Sequence, residues 1–524
     1  MASTSIGTQE HRRHLDRQCE KIADLAPAGT FEVIVQMAPS ADVRDFVETS
    51  AEILRRRLSI VSARELIPPQ RTVATRRRKS RGATAAAHPA DEYFRSQFET
   101  TSLAASPKAR RAVEKAGRDA LAPLLGSQWT KDVLRRSRGG RRTRNDGPPK
   151  SFWSARAAVI EVTREELRDL PQNVPMVTDI YPNRRLRIPP VTKASPDRPA
   201  LVDYRGYTWG LSRTGALSCW GSFGARGKGV LVAVLDTGVD ASHPDLKGKV
   251  QGFAEFDTDG SIIVDDVKKA YDSDRHGTHC AGIVAGGNAS GRWIGMAPEA
   301  KVLAGLVLKG GAGTDAQILG GMEWAMASGA HVISMSLGGL RMSADVLDLY
   351  TRAIINANRL GIPVVVAVGN EGSQTTGSPG NDYFAFTVGA TDVNDLAAGF
   401  SGGRTQIIEE SRYIDPKYMP VVYSKPDVSA PGVDVYSAVP KGKWEAWNGT
   451  SMATPHVAGA MALLLSAPST LLNIAGSRRV DLVQNLLISS VAEFGESGQN
   501  HRFGYGRIDV LNAMGYAQSL GYLD

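Results

Sequence analysis

The most informative stretch of this sequence is Asn448-Gly449-Thr450-Ser451-Met452-Ala453-Thr454-Pro455-His456-Val457-Ala458-Gly459, which places one serine between a glycine turn and a long apolar run. The first N–H groups of a helix have no partner inside the helix, and they stabilise nearby negative charge. A serine held at such a helix start can act as a nucleophile beside those donors. The stretch also fits a buried helix with a Ser/Thr cap, so other segments must separate the two interpretations.

Two other segments supply the partners that a serine nucleophile needs. Residues 230–236 form an apolar run that ends on Asp236, and the length of the run favours a buried parallel strand. In open α/β sheets, active groups collect at the carboxyl ends of such strands. Residues 274–282 read Asp-Arg-His-Gly-Thr-His-Cys-Ala-Gly and place His276 at the start of a helix of small residues. Either residue alone would more often be structural than catalytic.

Taken together, Asp236, His276 and Ser451, in this order and with their flanking motifs, resemble the subtilisin-like serine proteases, or subtilases. The resemblance extends from about Trp209 to the late 510s. Further matching stretches are Gly227-Lys228-Gly229-Val230, His243-Pro244-Asp245-Leu246, Gly295-Met296-Ala297-Pro298, Ser334-Met335-Ser336-Leu337-Gly338-Gly339, Val368-Gly369-Asn370-Glu371-Gly372 and Lys425-Pro426-Asp427-Val428-Ser429-Ala430-Pro431-Gly432. The resemblance implies an α/β catalytic domain with a parallel central sheet flanked by helices, and it implies serine endopeptidase activity.

The resemblance also implies a role for each motif residue. Ser451 would attack the scissile carbonyl to form an acyl-enzyme, and His276 would take its proton and return it to the leaving amine. Asp236 would hold the imidazole in the required tautomer. Asn370 corresponds to the side-chain donor that stabilises the oxyanion, with the backbone amide of Ser451 as the second donor. A plain turn asparagine is the alternative interpretation of Asn370.

Substrates of such proteases bind in extended form, by adding a strand to exposed edges of the enzyme. The resemblance places these edges at residues 309–313 and 336–339, whose glycines allow close backbone approach. Ordinary turn glycines are the alternative. The predicted substrate-binding residues are Gly310, Gly311, Ser336, Leu337 and Gly338.

The cysteines and the remaining histidines of the motifs have simpler interpretations. The 524 residues predict two or three domains, and the three cysteines, Cys19, Cys219 and Cys280, show no paired spacing, so structural disulfides are not expected. Cys280, four residues after His276, is better explained as a small buried hydrophobe than as a nucleophile. His279 and His456 are predicted to be packed structural residues rather than a second base or metal ligands.

Charge is distributed unevenly along the chain. Residues 1–200 contain 37 Lys and Arg against 23 Asp and Glu, a balance of +14, whereas the remainder has a balance of −6. The two parts should therefore attract each other. Residues 67–150 alone have a balance of +13. This basic stretch could be a solvated loop, a protease cleavage region or a nucleic-acid surface, and the lack of interleaved aromatic residues argues against nucleic acid.

The residues around the basic stretch are predicted to be ordered. The pattern predicts a strand, a helix, a strand, a short helix capped by Thr163 and an extended segment, over residues 31–37, 42–58, 155–162, 164–170 and 177–188. This order resembles the ferredoxin-like α+β propeptide of subtilases, with residues 67–150 as a large insertion. The resemblance implies an intramolecular inhibitor whose last part, about residues 184–200, lies in the active-site cleft. An unrelated α+β accessory domain is the alternative.

The predicted organisation is therefore an N-terminal tail (1–26), a propeptide-like domain (27–190), a linker (191–206) and a catalytic domain (207–524). The tail is charged throughout and lacks the apolar segment of a secretory signal. Residues 457–465 are apolar but too short to span a bilayer. We expect a cytoplasmic protein with no membrane partner.

No cofactor is expected to be required. Asp245 corresponds to an aspartate that ligates calcium in many subtilases, but the partner loop 287–293 departs from the family pattern. Ala289 lies where an asparagine ligand is usual, and Arg292 adds positive charge. Calcium needs several oxygen ligands, so this site is predicted to be degraded, with other calcium sites left open.

Two functions compete at this point. The favoured one is a serine endopeptidase made as an autoinhibited zymogen that cleaves itself and acts on protein or peptide substrates. The alternative is a catalytically silent protease-fold scaffold whose working part is the basic stretch. Intact Asp236, His276, Asn370 and Ser451 argue against the scaffold, because a silent protein is free to lose them.

Overall fold

The computed structural model describes residues 9–38, 107–137, 148–174, 176–193, 202–203, 206–343, 348–409, 420–468 and 471–523. The α-helices in these residues are α1 (Gln9–Leu25), α2 (Pro107–Leu125), α3 (Gln128–Ser137), α4 (Arg164–Asn173), α5 (Trp209–Arg213), α6 (Ala216–Ser222), α7 (His276–Ala285), α8 (Asp315–Ala327), α9 (Thr351–Arg359), α10 (Thr450–Ser466), α11 (Gly476–Ile488) and α12 (Val510–Ser519). Short 3-10 helices cover Val267–Lys269 and Leu471–Asn473.

The strands in the same residues are β1 (Phe31–Met37), β2 (Ser151–Phe152), β3 (Ala157–Val162), β4 (Val177–Pro182), β5 (Arg185–Arg187), β6 (Thr192–Lys193), β7 (Val202–Asp203), β8 (Tyr207–Thr208), β9 (Leu231–Asp236), β10 (Val250–Phe256), β11 (Ile262–Asp265), β12 (Lys301–Leu306), β13 (Ala312–Thr314), β14 (Val332–Met335), β15 (Gly339–Leu340), β16 (Val364–Ala367), β17 (Gly377–Ser378), β18 (Phe386–Thr391), β19 (Arg404–Ile408), β20 (Val421–Lys425), β21 (Val428–Pro431), β22 (Val435–Val439) and β23 (Lys443–Asn448).

The centre of the molecule is an eight-stranded sheet in the order β11-β10-β12-β9-β14-β16-β18-β21. Neighbouring strands are parallel, except that β11 runs antiparallel to β10 at one edge. The predicted strand that ends on Asp236 is β9, and it lies inside the sheet. Parallel strands need helical crossovers on both faces, which explains their uniformly apolar sequences. The predicted α/β class with a parallel central sheet is confirmed.

Two apolar cores cover the faces of this sheet. One face packs against α7, α10, α11 and α12, and the other against α8 and α9. Helix α10 is unusual because all its side chains from Thr450 to Leu465 are buried. A helix that is apolar on every side must lie inside the protein. The glycine turn before α10 is therefore held by the core at the sheet.

A second, four-stranded antiparallel sheet, in the order β2-β3-β1-β4, organises the N-terminal part. The strand predicted over residues 31–37 is β1, and the predicted short helix is α4, whose Thr163 caps the helix as expected. The helix predicted over residues 42–58 lies outside the described residues. The ferredoxin-like assignment and the domain boundaries therefore stay predictions.

The prediction of a tail over residues 1–26 differs from the structure, where α1 occupies Gln9–Leu25. Leu15, Cys19 and Ala23 recur every fourth residue and are buried in the small core of the N-terminal sheet. Such spacing produces one apolar face on a helix, even in a segment that is charged overall. The correction is that the charged residues occupy only the outer face of α1.

The basic stretch 67–150 is also partly folded. Helices α2 and α3 lie within it, and Leu121, Leu124 and Trp129 are buried in the same small core as α1. Residues 67–106 and 138–147 lie outside the described residues. The interpretation of the whole stretch as a solvated loop is therefore wrong for α2 and α3. In the described parts of the chain, no helix has both the length and the apolar character needed to cross a membrane.

Candidate active site

Asp236 and His276 meet where strand β9 ends and helix α7 begins. Nδ1 of His276 lies 2.8 Å from Oδ1 and 3.0 Å from Oδ2 of Asp236. Oδ1 also accepts the backbone N–H of Thr237 at 2.8 Å, and both partners of the pair are buried. The carboxylate thus holds one side of the imidazole ring and leaves Nε2, on the opposite side, for a reacting group.

The pKa of His276 reflects two opposing effects. Burial by itself would lower the pKa, because it penalises the charged ring. The Asp236 carboxylate outweighs burial and raises the pKa of His276 well above its ordinary value. The carboxylate therefore stabilises the imidazolium that forms when the ring takes a proton from a nucleophile and holds it until it passes to the leaving group.

Ser451 is the second residue of α10, which begins at Thr450 directly after Gly449. Its side chain is buried, and its hydroxyl donates to the carbonyl oxygen of Ser336 at 3.3 Å. Among the described residues, Nε2 of His276 has no hydrogen-bond partner. The nucleophilic hydroxyl is therefore bonded to a backbone carbonyl rather than to the base in this state.

The side chain of Asn370 is oriented by the residue that precedes Ser451. Its Oδ1 accepts the backbone N–H of Thr450 at 2.9 Å and the Thr450 hydroxyl at 2.7 Å. The Nδ2 group must then face the cleft, where it donates to the carbonyl oxygen of Pro190 at 2.9 Å. Asn370 already performs on a ground-state carbonyl the bonding that an oxyanion donor strengthens in the transition state.

Residues 184–193, called here the cleft segment, run through this site as an extended chain. On one side of Ser451, β5 pairs antiparallel with β13, and Arg187 forms a further bridge with Gly338. On the other side, β6 pairs antiparallel with Trp447 and Asn448 of β23. Strand addition on both sides of the nucleophile is how an extended peptide binds a protease.

The predicted substrate-binding residues are only partly gathered at this segment. Gly311 accepts the N–H of Ile188 at 3.0 Å. Gly338 bridges Arg187, and Ser336 contacts Ser451. The other two differ: Gly310 donates its N–H to Ser273 Oγ at 3.0 Å, and Leu337 is buried in the core. The strand partner on this side is β13, just after the predicted glycines.

The neighbouring Cys280 contacts the Asp236–His276 dyad but takes no part in its chemistry. The Cys280 sulfur lies 3.8 Å from Nδ1 of His276, and burial raises the pKa of the thiol. Asp236, His276 and Cys280 form the one cluster of three possible metal ligands in the described part of the chain. Two of the three already bond each other, so the cluster belongs to the dyad.

His279 and His456 have the structural surroundings that the sequence predicts. The ring of His279 stacks on Trp447 with centroids 4.4 Å apart, and burial lowers its pKa to about 3. Nδ1 of His456 lies 2.8 Å from the Met452 carbonyl oxygen, and burial lowers the His456 pKa to about 4. Both rings are therefore neutral at ordinary pH.

Three residues of this site were missed from the sequence. Thr450, which orients Asn370, could have been found, because it lies beside Ser451 in the motif. Trp447 carries a weaker signal as an aromatic residue just before the glycine turn. Pro190 carries none, since nothing local shows which residue of an extended segment reaches a distant amide.

Comparisons with known proteins agree with this geometry. Residues 227–506, more than half of the chain, match the Subtilase family. Subtilisin E of Bacillus subtilis (strain 168) is 36% identical over 297 residues, which cover 56% of this chain and 67% of subtilisin E. Serine protease AprX of the same strain is 41% identical over 269 residues, 46% of this chain and 57% of AprX. A subtilisin of Bacillus pumilus is 37% identical over 274 residues, 51% of this chain and 88% of that protein.

Proposed function

The chain belongs to the subtilase family and is a serine endopeptidase acting on proteins or peptides, and from that premise we propose that it is made as a zymogen whose own cleft segment blocks the active site. The single observation that carries the proposal is the hydrogen bond from Asn370 to the Pro190 carbonyl. It makes the Pro190–Val191 peptide bond the one presented to Ser451.

The site residues take the roles that their contacts allow. His276 removes the proton of Ser451 through Nε2, while Asp236 holds Nδ1 and stabilises the imidazolium that forms. Asn370 and the backbone N–H of Ser451, at the start of α10, stabilise the oxyanion. The acyl-enzyme is then hydrolysed by water with His276 again as the base.

Two anchors support the cleft segment on the side before Pro190. The Arg184 guanidinium pairs with the fully buried Asp315 through Nε at 2.9 Å and Nη2 at 3.2 Å. Leu186 is 5% exposed and belongs to the same apolar core as Leu337. A bidentate ion pair and a buried leucine together hold the chain in register.

The segment is held like a substrate but lacks one bond that a substrate can make. Continuing the register from the Arg187–Gly338 bridge places Pro189 opposite Ser336. Proline has no N–H, so it cannot donate to the Ser336 carbonyl. The Ser451 hydroxyl donates to that carbonyl instead. The proline therefore favours an arrangement in which the nucleophile is turned away from its base.

Docking of the N-terminal sheet also supports an inhibitory role. The side of this sheet opposite α1 shares an apolar core with α8 and α9. Arg352 donates to the Met37 carbonyl at 2.8 Å, and Asn356 donates to the Ser154 carbonyl at 2.6 Å. The Glu323 carboxylate accepts the Ser154 N–H at 2.7 Å, and burial raises the Glu323 pKa to about 7. The opposite net charges of the two parts add attraction.

Subtilisins need no organic cofactor, and many bind calcium. We infer that the usual calcium position is not used here, because its residues do not fit the ion. Both oxygens of Asp245 already accept hydrogen bonds at 2.6 Å, from the Ala289 N–H and from Nε1 of Trp444. The Lys249 ammonium donates to the Ala285 carbonyl at 2.6 Å beside them. The Lys249 ammonium at this position repels a calcium ion.

The zymogen proposal is tested by following Ser451 reactivity and the cut site together. A fluorophosphonate probe is added to the freshly purified chain and to the same chain after incubation, and mass spectrometry locates any cleavage. We expect slow labelling of the intact chain and faster labelling after cleavage at Pro190–Val191 or nearby. An intact chain that labels as fast as the cut chain would disprove autoinhibition. Asn370→Ala serves as a second check, since loss of the donor should lower turnover about 100- to 1000-fold, a magnitude carried over from subtilisin.

A further inference from the structure

The cleft segment continues past Pro190, and its last residue meets a carboxylate. Counting from the peptide bond presented to Ser451, Val191 is the first residue on the leaving side, Thr192 the second and Lys193 the third. The Lys193 ammonium lies 3.2 Å from Oε2 and 3.4 Å from Oε1 of Glu445. The contact joins residues that are 252 positions apart in the chain.

The register of strand β23 explains this contact. Lys193 lies opposite Trp447, and Glu445 is two residues before Trp447 on the same strand. Side chains alternate between the faces of a strand, so Glu445 and Trp447 share the face that Lys193 reaches. Any third leaving-side residue of a peptide bound in this register arrives at the same carboxylate.

Glu445 is held in place by the enzyme. Nε1 of Trp447 donates to its Oε2 at 2.9 Å, and Arg275 forms an ion pair with its Oε1. Burial would raise the Glu445 pKa, but these donors and Lys193 outweigh it and lower the pKa to about 2. A carboxylate offers about four acceptor positions, so Oε2 retains room for a cation from the substrate.

We propose that Glu445 is a leaving-side specificity residue, which selects peptides with Lys or Arg three residues after the scissile bond. The inference rests on the proposed function, because it takes the cleft segment as bound in the manner of a substrate. An exposed ion pair of this kind changes affinity about two- to fivefold relative to an uncharged residue. Replacement of Lys by Glu adds repulsion of similar size, so the Lys-to-Glu discrimination is about tenfold.

Arg275 predicts a further, more specific result for a Glu445 variant. While Glu445 is charged, it neutralises Arg275, whose guanidinium lies 5.7 Å from the Trp447 ring centroid. Glu445→Gln removes the carboxylate and leaves the Arg275 cation facing the same position. The preference for Lys should then not only disappear but reverse in favour of Glu.

The test compares peptides that are cut at one bond and differ only in the third leaving-side residue, which is Lys, Ala or Glu. kcat/KM is measured by mass spectrometry with the full-length chain carrying Leu186→Asp, which loosens the cleft segment, alone and combined with Glu445→Gln. Glu299→Gln is the matched control, because Glu299 pairs with Arg226 instead. Each variant is compared with itself across peptides, so a partly unfolded preparation does not alter the ratio.

We expect Lys to be preferred over Glu about tenfold in the parent and in the Glu299→Gln chain, and less at 1 M salt, where screening is strong. Glu445→Gln should bring the ratio below one. A parent ratio within twofold of one, or an unchanged ratio in Glu445→Gln, overturns the inference. A different result tests the zymogen proposal, which fails if Leu186→Asp does not raise the activity of the uncut chain. In that case, the Lys-to-Glu ratio of kcat/KM is measured with the wild-type chain instead.

Discussion

Replacing Leu186 by alanine should weaken the hold of the cleft segment without touching the catalytic residues. Leu186 lies in β5, opposite Gly313 of β13, and is 5% exposed. Its side chain is the main apolar anchor of the segment before Pro190. Arg185, the preceding residue, points to solvent and provides a matched control on the same strand.

The expected size follows from burial. Complete burial of a leucine side chain contributes about 1.5–3 kcal/mol, and alanine keeps only part of this. The pocket fills with water when the segment leaves, so the added cost of an empty cavity applies only to the bound state. We take a loss of about 2 kcal/mol, which corresponds to about a 30-fold larger fraction of open cleft.

The assay is the initial rate of fluorophosphonate labelling of Ser451 in uncut protein, since the closed cleft buries that hydroxyl. Ser451 in Leu186→Ala should be labelled about 30-fold faster than in wild type. The labelling rate of fully cut protein sets the upper limit for this increase. Arg185→Ala should stay within about twofold of wild type. Equal rates for wild type and Leu186→Ala would show that this anchor does not hold the segment, and the reasoning from burial would be refuted.

The other predictions concern the chemistry and pH dependence. Ser451→Ala should leave the unfolding temperature nearly unchanged but lower turnover on the order of a million-fold, a value carried over from subtilisin, and normal hydrolysis by the variant would contradict the assignment. Asp236→Asn removes the carboxylate that raises the His276 pKa, so the acid limb of the pH profile of kcat/KM should move to lower pH. The maximum of kcat/KM should fall on the order of 10⁴-fold. An acid limb that does not move would argue against the pairing of Asp236 with His276. Burial raises the Glu323 pKa from 4.5 to about 7, and we attribute this burial to the docked N-terminal sheet, so docking is expected to be favoured most below pH 4.5 and to lose this advantage as pH rises through 7. The apparent affinity should fall about 40-fold between pH 5 and 7 in wild type and stay flat in Glu323→Gln, as measured by inhibition of cut enzyme by its released N-terminal part.

The catalytic domain could be predicted because its signals are local. The apolar run ending on Asp236 is too short for a typical helix and so favours a buried strand, and the glycine turn before Ser451 leads into a helix that is apolar on every side. The residues of each motif therefore predict that it lies at a strand end or at a helix start. The partnership of Asp236 and His276 then follows, because both positions lie at the same edge of the sheet.

The rest of the site depends on register between distant segments, which a single sequence does not contain. Nothing near Pro190 shows that its carbonyl, rather than a neighbour's, reaches Asn370. Nothing near Lys193 indicates Glu445. The first 26 residues are charged in composition, and composition alone does not show the apolar face that Leu15, Cys19 and Ala23 form on α1. A cytoplasmic location stays a prediction.

The continuity of the cleft segment with the rest of the chain affects how the enzyme responds to dilution. A ligand tethered to its own site acts at a millimolar or higher effective concentration, which does not change with the amount of protein. Under the zymogen proposal, latency of the uncut chain is therefore the same in a crowded and in a very dilute sample. One cut after Pro190 turns the N-terminal part into a separate molecule, and its residence in the cleft then depends on total concentration. Activation of the proposed zymogen consequently has two stages, a chemical cut and a physical release, and dilution alone can complete the second.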